Sequence, residues 1–182
     1  RFVYDLEDRR TRAEAQLDLG SDPEYPISIA DSTAAANRQG AVEVGLENEV
    51  VYEFDSLEAL ADEFGIPLDG LKSQIEDWNS YVESGTDEQF GKYISEDVEP
   101  LGTPPWYAAR LWPKIHHTMG GVEINVDTEV IEDDEPIPNL YAAGEITGGV
   151  HGGCRLGSVA TADCLVYGRL AGAKAAGASN PY

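Results

Sequence analysis

The stretch Leu140-Tyr-Ala-Ala-Gly-Glu-Ile-Thr-Gly-Gly-Val-His-Gly-Gly-Cys-Arg-Leu-Gly-Ser-Val159, continued by an apolar run through Gly168-Arg169 to Gly172, decides how the rest of the chain is read. Residues 140–143 read as a short buried strand. A loop follows that is so rich in glycine that its backbone must approach something closely, and then a helix from about 158 to 176. Strand, glycine loop and helix N-terminus together make a place where a bound group is held by main-chain N–H groups and the positive end of a helix dipole. Glu145, His151 and Arg155 punctuate the loop, with His151 read as loop structure or as support behind the contact residues. The same arrangement is common in α/β proteins, so by itself it marks a ligand site as one use among several.

Working outward, the composition narrows the choice. With 182 residues and 42% hydrophobic content, the chain has material for one ordinary domain or two small ones and for a real core. Its 34 acidic against 12 basic residues give a formal charge of -22, a surface that repels phosphate backbones and anionic membranes. Nucleic acid and membrane surfaces are therefore excluded as expected partners, and any arginine placed inside a pocket gains interest. The two cysteines, Cys154 and Cys164, fall before and within the expected helix, which disfavours a disulfide. No CxxC or HExxH pattern occurs and His116-His117 lacks helical ligand spacing, so no metal site is expected. No apolar run approaches the length of a membrane span. The start, Arg1-Phe-Val-Tyr4, reads as mid-element, as in part of a longer protein.

Taken in order, residues 1–19 read as an extended segment with Phe2, Val3 and Leu6, then a helical turn or two carrying Arg9, Arg10 and Arg12. On the residues alone, that basic cluster is a solvated face paired with Glu7, Asp8 and Glu14. Residues 20–26 are turn-rich, 26–30 a short strand, and 31–39 a helix capped by Asp31 or Ser32. Alternation at Val42, Val44, Leu46, Val50, Tyr52 and Phe54 predicts one or two short strands broken near Glu47-Asn48. Asp55 and Glu58 are placed as a capping box for a helix that stops at Gly65, with Leu57, Leu60, Ala61 and Phe64 inward. A second helix runs from 67 or 68 to about 82, burying Leu68, Leu71, Ile75, Trp78 and Val82. Residues 84–105 form a connector and 107–117 a strand. Val122–Asn125 and Val130-Ile131 suggest a small hairpin, with a turn at Asp133-Asp134 before residues 137–143.

At this point the residues carry a resemblance. The 140–157 stretch, preceded by His116-His-Thr-Met-Gly-Gly121, resembles the C-terminal flavin-site signature of the soluble fumarate reductase and flavocytochrome c family, within the larger succinate dehydrogenase and fumarate reductase flavoproteins. Arg1-Phe-Val-Tyr-Asp-Leu-Glu-Asp-Arg9 resembles the family segment that carries its catalytic arginine. The helix pair with Asp87-Glu-Gln-Phe-Gly-Lys92 resembles its cap, and Pro104-Pro-Trp-Tyr-Ala-Ala109 its return to the flavin domain. The resemblance covers nearly the whole chain. It implies an α+β fold: a cap (substrate) domain over 1–105, missing its N-terminal part, and 106–182 as the C-terminal portion of an α/β FAD-binding domain that lacks its N-terminal Rossmann βαβ unit.

The resemblance also implies chemistry. Hydride passes from flavin N5 to the C=C bond of an α,β-unsaturated carboxylate, with Arg9 as proton donor and His116 and Arg155 as the carboxylate clamp. An arginine fork suits a carboxylate bidentately. An arginine acid needs neighbours to relay protons, for which Asp5, Glu7, Asp8 and Arg10 are local candidates. Adjacent histidines in a strand point to opposite faces, so either His116 or His117 faces the ligand. Implied FAD contacts are His117, Thr118, Gly120, Gly144, Glu145, Arg155, Gly157, Ser158 and Val159, with Glu145 on sugar-like hydroxyls and the main chain at 156–159 on the flavin's polar edge.

Cys154 stands where the family has asparagine, and Ser158-Val159 where Gly-Asn is common, so urocanate or an aryl acrylate matches at least as well as fumarate. No G-x-G-x-x-G follows a strand here, which places the pyrophosphate site in sequence upstream and predicts weak or no FAD binding by this chain alone. Expected partners are a small carboxylate, that missing N-terminal FAD-binding segment, and an electron-donor domain or protein. Two other readings stay open: an FAD-dependent dehydrogenase of ketosteroid-like substrates, and a non-catalytic binding module.

Overall fold

The computed structural model describes residues 1–4, 7–20 and 25–178. Leu6 and Asp5, and most of the 20–26 link, lie outside the described residues. The chain is a mixed helix-and-sheet protein forming two compact units, 1–113 and 114–182. Trp106–Arg110 is the middle strand of the first unit's sheet, so that unit runs on to residue 113.

In the first unit, α1 (Arg9–Asp18) begins at Asp8, whose carboxylate accepts from the N–H groups of Arg10 and Thr11. Strand β1 (Ile27–Asp31) leads through α2 (Ser32–Ala36) to α3 (Gln39–Glu47), β2 (Tyr52–Phe54), α4 (Leu57–Phe64), α5 (Leu68–Ser84) and β3 (Trp106–Arg110). The sheet is antiparallel in the order β1-β3-β2, with Asp31 opposite Trp106 and Tyr52 opposite Ala108. Trp106 and Ala108 point from β3 to one face, where Leu60, Ala61 and Leu71 of the α4–α5 pair complete the buried core. Leu57, Phe64, Leu68 and Ile75 pack around it as the helical stripes predict, whereas Trp78 is half-buried under the cations of Arg1 and Lys92 at about 5 Å.

Three local readings are corrected. Residues 42–46 are helix, not strand: Val42, Gly45 and Leu46 turn inward at helical spacing and Val44, which made the alternation look strand-like, is exposed. The cap of α4 is Ser56, whose side chain accepts from the Ala59 N–H at 3.2 Å, one residue later than Asp55. Strand β3 ends at Arg110, so the path through His116 and His117 is irregular. Gly65 closes α4 in the left-handed region at φ 64°, and the Ile66 N–H returns to the Ala61 carbonyl as in a Schellman turn. Two polar clasps tie the connector down. Asp31, fully buried, accepts from Ala34, Gly102 and Thr103, while the Asn79 amide both donates to and accepts from the Leu101 backbone.

The second unit is built on a hairpin, β4 (Glu129–Glu132) and β5 (Glu135–Tyr141), joined at Asp133 and Asp134 with both residues at positive φ, as a tight primed turn requires. The strand before the glycine loop therefore starts earlier than expected. It is also less buried, with Leu140 exposed. A 3-10 turn (Gly144–Ile146) and the glycine loop lead to α6 (Val159–Ala175), matching the predicted helix. Gly121 is obligatory: a Cβ there would sit 2.0 Å from the Ile146 carbonyl oxygen, where Val122 and Thr147 pair in parallel.

Candidate functional site

The glycine-rich loop folds back so that residues 117–118 meet the 3-10 turn. The Thr118 N–H donates to Glu145 Oε1 at 2.8 Å, and His117 Nδ1 stands 3.6 Å from Glu145 Oε2. That backbone N–H is the main reason the Glu145 carboxyl is held below its usual range; partial burial opposes it, and His117, the Thr118 hydroxyl and Arg155 add to the lowering. Glu145 is thus an anchored anion with half its side chain still open to solvent. His117 is nearly buried and lies edge-to-face on His151, ring centroids 5.3 Å apart. His151 in turn reaches Asp163 Oδ2 at 3.2 Å.

Arg155 is buried at 7% exposure in a protein that carries few cations. One terminal nitrogen donates to the Leu156 carbonyl at 2.7 Å, while its Nε has no acceptor among the described residues. A buried donor left open in this way is costly unless a ligand meets it. Three residues on, Ser158 adopts φ 66° and enters α6 without capping it, and the first helical turn holds no acidic residue. The N–H groups of that turn thus face no side-chain acceptor from their own cap.

The expected residues divide between the units. His117, Thr118 and Glu145 are brought into contact. Gly144, at φ 81°, is buried against Cys164, whose Sγ a Cβ would meet at 3.1 Å. Gly157, Ser158 and Val159 form the exposed entry to α6. Gly120 lines an open groove of about 600 Å³ with Gly121, Gly148 and Gly149. Of the two histidines, His117 is turned inward and His116 is exposed. Arg9 belongs to the first unit, exposed on the first turn of α1, while Arg10 beside it pairs with Glu14. Asp5, one candidate relay, lies outside the described residues. Sequence reading passed over Asp163, the only buried residue of α6; a lone acid in an apolar helical run was the signal available.

An FAD cofactor fits this donor set in part. The open Arg155 Nε and the uncapped α6 suit the carbonyl edge of a flavin, and an anchored carboxylate suits sugar hydroxyls. Among the described residues no group of three or more potential metal ligands occurs, and no helix is long and apolar enough to cross a membrane. Apolar side chains stand exposed across this unit: Leu140, Ile146, Leu156, Val159, Leu165 and Val166.

Comparison with known proteins identifies the family. The model of the FAD binding domain family matches residues 1–161. The chain is 42% identical over 176 residues to the acrylate reductase flavoprotein subunit of Shewanella woodyi, covering 94% of this chain and 35% of that protein. A flavocytochrome c3 fumarate reductase in its open conformation superposes with a TM-score of 0.71 at 38% identity, over 97% of this chain and 31% of that one. A 3-ketosteroid delta1-dehydrogenase from Sterolibacterium denitrificans shares the fold at the same TM-score and 24% identity, over 92% of this chain and 35% of that one. The chain thus spans about a third of the length of these three proteins. A family match over most of the chain, the flavin-site signatures at 116–121 and 140–157, and these relatives together place the chain in the FAD binding domain family, among flavoproteins of the fumarate reductase type.

Proposed function

We propose that this chain is a portion of an FAD-dependent reductase that saturates the C=C bond of an α,β-unsaturated carboxylate. Residues 1–105 belong to its cap and 106–182 to the C-terminal part of its FAD-binding domain. The observation that carries the reading is the buried, half-satisfied Arg155 set directly before an uncapped helix N-terminus. In this reading a Rossmann βαβ unit elsewhere in the protein supplies the pyrophosphate site and covers the exposed apolar side chains of the second unit. An electron donor, as a domain or a separate protein, completes the cycle.

Bound and reduced, the flavin supplies a hydride to an electron-poor alkene carbon. The residues of this chain do the rest. Arg155 takes one carboxylate of the substrate and, with His116, stabilises the charge that grows on it as the alkene accepts hydride. Arg9 delivers a proton to the neighbouring carbon, with Glu7, Asp8 or Arg10 returning it from solvent. Glu145, anchored by Thr118 and His117, holds cofactor hydroxyls, and the main chain at 156–159 meets the flavin edge. The relatives' names fit an enoate: acrylate for one, fumarate for another. Cys154 and Ser158-Val159, the departures from the family pattern, flank Arg155 in sequence and make another enoate, such as urocanate or an aryl acrylate, at least as good a match as fumarate.

The test compares this chain with the same protein extended upstream to its relatives' length. Flavin absorbance and FAD titration should show a yellow extended protein and little binding by the 182 residues. Anaerobic mixing of the reduced extended protein with acrylate, aryl acrylates, urocanate and fumarate should reoxidise the flavin, and Arg9→Lys should slow this by at least about a hundredfold. Reoxidation that is unchanged in Arg9→Lys removes the proton-donor role. Tight FAD binding by the short chain removes the need for an upstream pyrophosphate site. Desaturation of a ketosteroid with no enoate reduction would establish the dehydrogenase reading instead.

A further inference from the structure

Behind the contact between His117 and Glu145 lies a second pair that the proposed mechanism does not use. His151 is 10% exposed at its side chain and Asp163 3%, and Nε2 meets Oδ2 at 3.2 Å. Asp163 comes from an otherwise unburied helix, and its second oxygen, Oδ1, has no partner among the described residues. A carboxylate hidden in this way is expensive, and a helix that merely needed packing at that position would use an apolar side chain. The partner it meets is a ring stacked edge-to-face, at 77° between planes, on the histidine that touches Glu145. Four groups therefore stand in series: Asp163, His151, His117 and Glu145.

We propose that Asp163 and His151 are positioning residues, the buried carboxylate orienting the His151 ring, whose contact orients His117 toward the Glu145 carboxylate. A carboxylate accepts hydrogen bonds, so Asp163 selects the His151 tautomer protonated on Nε2. With tautomer and ring plane set, the edge-to-face contact leaves His117 one favoured orientation, its Nδ1 toward Glu145. The role rests on the reading of Glu145 as a cofactor contact, but the geometry it predicts belongs to this chain alone.

The chain holds three histidines, so ring ¹⁵N spectra of the labelled 182-residue protein resolve each of them. His151 should show the Nε2–H tautomer in the wild type. In Asp163→Ala that preference should be lost, and the His117 ring signals should move while those of exposed His116 stay in place. Asp163→Asn keeps the volume and one acceptor oxygen, so it should fold and give a smaller shift in the same direction. In the extended protein, FAD affinity should fall about tenfold in Asp163→Ala, with Asp163→Asn between it and the wild type. An Nδ1–H tautomer for wild-type His151, or His117 signals that do not respond to either variant, overturns the proposal. So does FAD affinity that both variants leave within twofold. Failure of the extended wild type to bind FAD at all instead sinks the flavin reading, and the ring spectra then decide the positioning role by themselves.

Discussion

Removing the Asp31 carboxylate should unfasten the first unit from one point. Asp31 is fully buried, with Oδ1 accepting from the Ala34 N–H at 2.9 Å and Oδ2 from Gly102 and Thr103 at 2.9 and 3.0 Å. In Asp31→Ala the helix loses its cap, worth about 1 kcal/mol, and the N–H groups of the exposed connector residues Gly102 and Thr103 exchange the carboxylate for water at roughly 1 kcal/mol each, for a loss of about 3 kcal/mol. Asp31→Asn keeps one oxygen but turns an amide N–H₂ toward donors, so about 2–3 kcal/mol should go. Burial pushes the Asp31 carboxyl up, yet the N–H groups of Ala34, Thr103, Gly102 and Thr33 together hold it below its usual value. A depressed carboxyl contributes stability that is full above the unfolded value near 3.9 and is lost as pH falls through the folded one. The gap between wild type and Asp31→Asn should therefore stay level from pH 8 to 6 and narrow below about pH 4. Urea unfolding followed by tryptophan fluorescence is the assay. All three tryptophans, Trp78, Trp106 and Trp112, lie within residues 1–113, and Trp106 is the strand partner of Asp31. A loss below about 1 kcal/mol in Asp31→Ala, or a gap that ignores pH, would refute the clasp.

Other perturbations probe other layers. Leu60→Ala, at a side chain with no exposure, should cost about 3 kcal/mol in the same urea experiment. Asp87 accepts from the Arg1 guanidinium at 2.7 Å and from the backbone of Gln89, Phe90 and Lys92, and Arg1 first among these holds its carboxyl well below the usual range. Asp87→Ala, which leaves the largely buried Arg1 guanidinium without its carboxylate, should lower stability by about 3 kcal/mol at pH 7, with the deficit shrinking below about pH 4 as the unfolded chain's carboxyl protonates while the folded one is still ionised. Glu145→Gln in the extended protein should raise the FAD dissociation constant about tenfold, measured by flavin fluorescence, while leaving the tryptophan-detected transition in place.

What could be read ahead of the structure depended on range. The α4–α5 pair was legible because its stripe and its left-handed stop at Gly65 are written within a few residues. The glycine loop and α6 were legible for the same reason. Residues 39–47 misled because Val42, Val44 and Leu46 alternate, and only packing decides that Val44 faces water. The contact of Thr118 with Glu145 joins residues 27 apart in sequence, and the resemblance rather than any periodicity put both on one site. Asp163 stayed hidden because nothing local separates a buried carboxylate from a solvated one. The pairing of His117 with His151 likewise needed the loop's path, which no pattern of glycines specifies.

Gly121 has a consequence for how this sequence can drift. With no room for even a methyl against the Ile146 carbonyl, every codon change that alters the residue breaks the crossing, whereas Gly120 next to it meets nothing within 4 Å. In a saturation-mutagenesis map the two neighbours should differ as sharply as any adjacent pair in the chain, one column empty and the other populated. Variation that reshapes the groove is thereby channelled to one side of it.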